Sequence, residues 1–396
     1  MTLFAIALAT LAAWAVLLLR RGFFWLARDD DRDAPALPEP DAWPAVAVIV
    51  PARDEAATIA EAVRSVLSQD YLGPLRLVVV DDRSTDGTAG IARAAASGDP
   101  RLAVLAGGPR PPGWTGKLWA LHQGSEALRH DPAPFLLLTD ADIRHRPDSV
   151  RRLVQRALVG RPALASLMVR LRCESPAERW LIPAFVFFFG MLFPFRWVRD
   201  PSARTAAAAG GCVLLDRAAF GDAGGFAAIR GAVIDDCALA RLMKAHGGRI
   251  WLGLTERAES LRPYPHVGDI RRMVARTAYA QLGYSPALLA GTVAGLALVF
   301  LAPPLLALFA EGAPRLLGAA AWAAMALAYA PTLRRFGLSP LRAAAMPAAA
   351  AAYLLFTVDS ALAERGGRGG MWKGEANPGS ARRESDAALN RATAAD

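Results

Sequence analysis

Apolar positions are spread along this chain in contrasting ways. Residues 2–19 form an uncharged run, followed at once by Arg20 and Arg21, and such a run is long enough to cross a bilayer as a helix. From 46 to about 254, short β-rich runs such as 46–50, 77–80 and 135–138 alternate with helical patterns such as 57–67 and 149–158. That alternation predicts an α/β domain with a largely parallel sheet, whose ligands gather at the carboxyl ends of the strands. Beyond 285 the apolar character returns in 286–310, 316–331 and 343–363, each approaching or reaching spanning length. Alanine is only mildly apolar and Pro347 interrupts the last of these runs, so two to three helices are expected.

The pattern divides the chain into an anchor (1–27), a linker (28–45), an α/β domain (46–285), a C-terminal membrane region (286–363) and a disordered tail (364–396). The linker combines Asp29, Asp30, Asp31 and Asp33 with Pro35, Pro38, Pro40 and Pro44, a composition that cannot build a core. Within the α/β region, 181–198 is apolar and holds an aromatic cluster at 185–189. It reads either as a buried core helix or as an element lying on the bilayer that admits a lipid, broken by Pro183 and Pro194. The neighbouring Arg179, Arg196 and Arg199 favour the second reading.

Composition narrows the classes. The chain has 396 residues, 54% of them hydrophobic, and a formal charge of +9. No basic patch interleaved with aromatics accompanies that charge, so nucleic acid is not the expected partner. Arginines bordering apolar segments suit an anionic membrane surface. Basic residues follow the first apolar run rather than precede it, which favours a retained anchor over a signal peptide. With Arg334, Arg335 and Arg342 in the loop before the last run, the charge rule places the α/β domain on the cytoplasmic side of a membrane. The side of the tail stays open, because it carries Arg365, Arg368 and Lys373. Cys173, Cys212 and Cys237 show no metal-ligand spacing and fit a reducing compartment. His122, His145, His246 and His266 are not clustered and read as structural or exposed.

Acidic motifs sit where apolar runs end. Asp140 and Asp142 follow 135–138, Asp81 and Asp82 follow 77–80, and Glu55 follows 46–50 by way of Pro51 and Arg53. Asp235 and Asp236 open a helical stretch. Carboxylates of this kind suit a hard divalent cation holding a polyphosphate. In an extended D-x-D the two side chains point the same way, so both address one metal. Each motif has a plainer reading. A lone D-x-D is usually a solvated loop, one of Asp81 and Asp82 caps the helix after the turn at 84–87, and Asp235 with Asp236 answers a helix dipole. Gly210 and Gly211 mark either close ligand approach or a simple turn. Lys117 is either a diphosphate or base contact or an ordinary surface lysine.

Together these residues resemble glycosyltransferase family 2, the inverting enzymes of GT-A fold. The matching set is V-I-V-P-A-R-D-E at 48–55, V-V-V-D-D-R-S-T-D-G-T at 78–88, T-D-A-D at 139–142, G-G-C-V-L-L at 210–215 and I-D-D at 234–236. The resemblance implies a Rossmann-like nucleotide-diphospho-sugar transferase domain with transmembrane helices at both ends. G-W-T-G-K-L-W-A-L at 113–121 and R-M-V-A-R-T-A-Y at 272–279 are similar to hopanoid-associated membrane glycosyltransferases and to ceramide glucosyltransferases.

The resemblance further implies that Asp142 coordinates Mg or Mn while Asp140 touches the ribose or assists the metal. Asp82 would contact uracil, with Asp81, Pro51, Arg53 and Glu55 around the base, and Lys117, Gly210 and Gly211 beside the nucleotide sugar. Asp236 would be the catalytic base and Asp235 its support. The Q-x-x-R-W of processive synthases is missing, since 270–274 read Ile-Arg-Arg-Met-Val. Single-sugar transfer from a nucleotide-sugar donor to a lipid, a hopanoid among the candidates, is therefore expected. The alternatives are transfer to a polyprenyl phosphate and an idle membrane scaffold with a transferase fold.

Overall fold

A computed structural model describes residues 2–29, 31, 37–366 and 369. The tail expected to be disordered lies almost wholly outside these residues, as do Asp30, Asp33 and Pro35 of the linker. The chain resolves into two compact units. Among the described residues, one comprises Asp29–Arg172 and Trp197–Pro263; the other takes the chain up to Arg28, Cys173–Arg196 and residues 264–369.

The first unit is built on an eight-stranded sheet in the order β3-β2-β1-β4-β7-β6-β8-β5. Its strands are β1 (Val46–Ala52), β2 (Leu75–Asp81), β3 (Leu102–Ala106), β4 (Phe135–Thr139), β5 (Ile143–His145), β6 (Leu164–Arg170), β7 (Cys212–Asp216) and β8 (Ile250–Ser260). Strands β3, β2, β1 and β4 run parallel, and their continuous Val/Leu/Ile runs suit a sheet covered on both faces. The sheet is more mixed than expected, because β7 is antiparallel to both β4 and β6, and β5 to β8. Direction was not readable, since an apolar run such as 212–215 looks the same either way. The reversal matters for the site: Cys212 pairs with Thr139, so the start of β7 lies beside the carboxyl end of β4.

The linker is not free where the structure describes it. Asp29 O accepts from Leu254 N at 2.7 Å and Asp31 N donates to Leu254 O at 3.1 Å. Arg199 holds the Asp29 carboxylate at 2.7 Å, and Thr255 Oγ1 donates to Asp31 Oδ2 at 2.6 Å. Its aspartates find partners on β8 that composition alone did not suggest.

The second unit is helical. Among the described residues, four helices are long and apolar enough to cross a membrane: Thr2–Arg20, Pro286–Phe309, Gly312–Arg335 and Pro340–Arg365. Prolines shape the second of them. Pro303 has no N–H to give Val299 O, and the helix passes through a π segment at Ala297–Leu301. Trp14 Nε1 donates to that Val299 oxygen at 2.8 Å, and Thr10 Oγ1 donates to Leu298 O at 2.9 Å. Neutral side chains thus satisfy carbonyls that lipid could not. Gly318 lets two helices touch: a Cβ there would stand 2.5 Å from Leu306 Cβ and 3.0 Å from Pro303 O.

The apolar stretch at 181–198 belongs to this helical unit up to Arg196, while Trp197 and Val198 fall in the sheet unit. It forms helices Pro176–Leu192 and Phe195–Arg199, of which the first runs through Pro183 and starts at a Ser175–Glu178 capping box. Phe188 packs on Phe300 and Tyr353 at centroid distances of 5.3 and 5.1 Å, and Phe187 on Tyr329 at 5.4 Å. Tyr353 also donates its hydroxyl to Leu181 O at 2.9 Å. Hydrophobicity announced a buried face without saying which core would receive it.

Candidate active site

At the carboxyl end of the parallel strands, the chain after β1 meets the chain after β2. Asp82 is 1% exposed, and Arg53 Nη1 lies 3.3 Å from its Oδ2. One oxygen each of Asp81 and Asp82 (Oδ1) is buried without a hydrogen-bond donor, so both keep acceptor capacity. Gly107 closes this corner tightly, since a Cβ would lie 3.0 Å from Asp81 O and 3.1 Å from Asp82 Cα. Neither aspartate caps the following helix, Thr88–Ala95. Asp86 does the local work instead, accepting from Thr88 N at 3.1 Å and Ala56 N at 2.9 Å. Asp54, in the left-handed region at φ 50°, accepts from Thr85 N at 2.8 Å.

The D-x-D segment is not extended. Ile143 N donates to Asp140 O at 3.2 Å, a turn that takes the chain from β4 into β5. The two carboxylates consequently meet different cations. Lys117 Nζ lies 2.9 Å from Asp140 Oδ1 and 3.1 Å from Asp235 Oδ2. Arg262 Nε donates to Asp142 Oδ2 at 2.8 Å, while its Nη2 reaches both Glu55 oxygens at 2.6 and 2.7 Å. No group of three or more His, Cys, Asp or Glu side chains is gathered around a common metal position among the described residues. Asp140 and Asp142 still provide two hard carboxylates. That donor set fits a divalent cation sharing its remaining positions with diphosphate oxygens and water.

Asp236 completes the cluster from the first turn of helix Asp235–Ala245. Its Oδ2 accepts from Gly210 N at 2.9 Å and its Oδ1 from Cys237 N at 2.7 Å. Loss of water and the neighbouring Asp235 carboxylate push its acid up to about 6, against the pull of Lys117 and those two amides. Lys117 itself is held above its ordinary value by Asp140, Asp235 and Asp236, which outweigh its burial. Burial also raises Asp140, together with the Asp142 charge.

Pro51, Lys117, Asp140, Gly210, Asp235 and Asp236 line one cleft, floored by Leu118, Leu138, Val213 and Phe226. Gly210 is needed there, because a Cβ would stand 3.2 Å from Lys117 Nζ and 3.4 Å from Asp236 Oδ2. Gly211 differs. A side chain on it would press on Val169 and Ile143, at 3.1 and 3.3 Å, so its smallness serves packing rather than the cleft. The fold brings Lys117 and Asp235 into direct contact, which the sequence left undecided. It adds Arg262, which no motif had marked. His145 is structural: its ring bonds to Thr139 and Ser149 at 2.9 and 3.1 Å, and burial pushes it down to about 4.

Comparison with known proteins agrees with this sheet and its acidic edge. A model of the family described as "Glycosyl transferase family 2" matches residues 47–224. An N-acetylglucosaminyltransferase of Bradyrhizobium elkanii is 30% identical over 145 residues, which are 35% of this chain and 72% of that protein. Another, from Mesorhizobium japonicum, is 33% identical over 147 residues, 36% of this chain and 32% of that protein. The match thus spans only about a third of the Mesorhizobium protein's length. A solved mannosyltransferase from Pyrobaculum calidifontis, in complex with GDP-Man and Mn2+, superposes with a TM-score of 0.55 at 24% identity, covering 91% of this chain and 99% of that one. The chain belongs to glycosyltransferase family 2, and its sheet unit has the GT-A fold.

Proposed function

We propose that the protein is an inverting glycosyltransferase moving one sugar from a nucleotide-diphospho-sugar to a hydroxyl of a membrane lipid. Asp236 carries the reading. It is a carboxylate at a cleft wall, with an acid raised to about 6 and beside the Lys117 cluster, as suits a base working near neutral pH. The acceptor oxygen attacks the anomeric carbon, its proton passes to Asp236, and the nucleoside diphosphate leaves with the electrons of the broken bond. Gly210 N–H fixes one Asp236 oxygen by its 2.9 Å bond, and Asp235 with Lys117 sets the local charge. Asp140 and Asp142 would hold Mg or Mn, which would neutralise the charge developing on the diphosphate. Asp81, Asp82, Arg53 and Glu55 form the base and ribose side of the donor site, with uridine the expected base.

The Mn2+ and GDP-Man of the superposed mannosyltransferase support the cation and the donor class. A lipid acceptor is supported by the four membrane-length helices, and a hopanoid or similar lipid by the resemblance of 113–121 and 272–279. Arg20, Arg21, Arg334, Arg335 and Arg342 favour a bacterial inner membrane with the sheet unit on the cytoplasmic side.

The test is transfer by membranes containing the protein. Labelled UDP- and GDP-sugars are supplied with Mn2+, with Mg2+ and with chelator, and the lipid extract is separated. The expected product is a lipid bearing one sugar, lost with chelator. Polymeric product, label on a phosphate-linked lipid, or neither transfer nor donor hydrolysis with any donor would each contradict the proposal.

A further inference from the structure

Arg262 follows the end of β8 by two residues, and its position is set by its neighbour: Leu261 N donates to Asp142 O at 2.7 Å. From that fixed point its guanidinium bridges carboxylates from two other strand ends, Asp142 Oδ2 at 2.8 Å and the Glu55 oxygens at 2.6 and 2.7 Å. The two carboxylates are 12% exposed, whereas the arginine is 34% exposed. The anions are fixed in the wall and the cation keeps an open side. Arg262 therefore occupies an oxygen of the carboxylate assigned above to the divalent cation. One oxygen cannot serve both at full strength, because two cations drawn to it repel each other at short range.

We infer that Arg262 is a displaceable counterion that couples cation binding to diphosphate binding; the inference rests on the assignment of Asp142 as a cation ligand. Without donor, Arg262 neutralises Asp142 and Glu55 and competes with free metal. When cation and diphosphate arrive together, the cation takes Asp142. Arg262 then turns its freed N–H groups to the diphosphate oxygens while Glu55 keeps its hold. Each ligand thus removes the obstacle to the other, and the coupling is reciprocal. The task needs the planar fork of arginine, which addresses two anions at once. Lys117 cannot replace it, being engaged with Asp140 and Asp235.

The experiment measures binding, not turnover, on the full chain in detergent. Free Mn2+ is read by its electron paramagnetic resonance signal, with UDP and GDP as nucleotide probes. The native protein is expected to bind Mn2+ weakly alone and more tightly once one diphosphate is present. Arg262→Gln should bind Mn2+ alone about tenfold more tightly, and should lose a similar factor of the enhancement by the diphosphate. Arg262→Lys should regain the competition with free Mn2+ but not the full coupling. Arg151→Gln, in a surface pair with Asp70, should leave both values unchanged. If the native protein binds neither diphosphate with Mn2+, the reading of the site falls and this inference with it. If joint binding is intact but Arg262→Gln melts like the native protein and alters neither value, the inference alone is overturned. Should Arg262→Gln not fold, Arg262→Lys decides, and native coupling in it contradicts the role of the fork.

Discussion

The two units of the chain handle their costly polar groups in opposite ways. In the helical unit the obligations are backbone carbonyls, and side-chain donors discharge them: the neutral Trp14 to Val299, Thr10 to Leu298 and Tyr353 to Leu181, and the charged Arg21 to Met191. In the sheet unit they are carboxylates crowded at strand ends, and the matching is incomplete. Lys117 serves Asp140 and Asp235, Arg262 serves Asp142 and Glu55, and Asp236 is left with amide donors and an acid raised to about 6. A scaffold in apolar surroundings gains by satisfying its backbone groups, because an unmet one costs several kcal/mol. A site awaiting ligands keeps surplus negative charge and tolerates the strain. Satisfied groups should therefore yield stability effects on mutation, and unsatisfied ones functional effects.

The largest expected effect follows from Asp236→Asn. Transfer should fall by about 10²- to 10⁴-fold, the usual worth of a positioned base. Stability should not fall with it. The native Asp236 carboxyl holds its proton up to about pH 6, whereas in the unfolded chain it ionises near 4. Its contribution to stability is thus full below the unfolded value and lost as pH rises through the folded one. Asparagine removes that loss but keeps one acceptor for the two amides of Gly210 and Cys237, so a melt at pH 8 in detergent should stay close to the native one. A large drop in melting temperature would merge the two classes of group and end the comparison.

Next comes Gly318→Val in the helical unit, where the new Cβ meets Leu306 Cβ at 2.5 Å and backbone at 3.0 Å. Overpacking of this kind costs about 1–3 kcal/mol. A melting temperature equal to the native one would show that the helices are not closely seated there. Returning to the sheet unit, Lys117→Met leaves Asp140 and Asp235 without their shared cation and removes what holds the Asp236 acid down. Activity should fall about tenfold or more, and the acid limb of its pH profile should move to higher pH. An unmoved limb would detach Lys117 from the base. The smallest effect is expected from Trp14→Phe, which keeps most of the packing on Phe300 and deletes only the donor to Val299. Hydrogen bonds between membrane helices are worth about 0.6 kcal/mol on average, so the melt should shift slightly while the kinetics of transfer stay native.

Much of the sheet unit was legible because its chemistry is punctuated. Apolar runs end in acids at Glu55, Asp81, Asp82, Asp140 and Asp142, and in a parallel sheet those ends share one edge. The antiparallel β7 was not legible, yet it places Gly210 beside that edge. Arg262 was missed because a single arginine between a strand and Pro263 carries no signature; only the fold shows that it faces Asp142 and Glu55. The turn at 140–142 contradicted the extended D-x-D for a local reason, since the chain must reverse into β5 within a few residues. Gly211 shows the opposite error. Its neighbour Gly210 does line the cleft, whereas a side chain on Gly211 would point at Val169 and Ile143. For 181–198, the sequence favoured an element lying on the bilayer over a buried helix, whereas Phe188 packs on Phe300 and Tyr353, partners too distant in sequence to be read from it.

The most direct test of Asp236 as the base is the pH dependence of single-turnover sugar transfer by the native protein and by Asp236→Asn. The account predicts a native rate that rises with pH about a midpoint near 6, and a variant that binds donor normally but transfers slowly with that limb abolished. A variant that transfers at the native rate, or that is slow yet keeps the same limb, would show that another group accepts the proton.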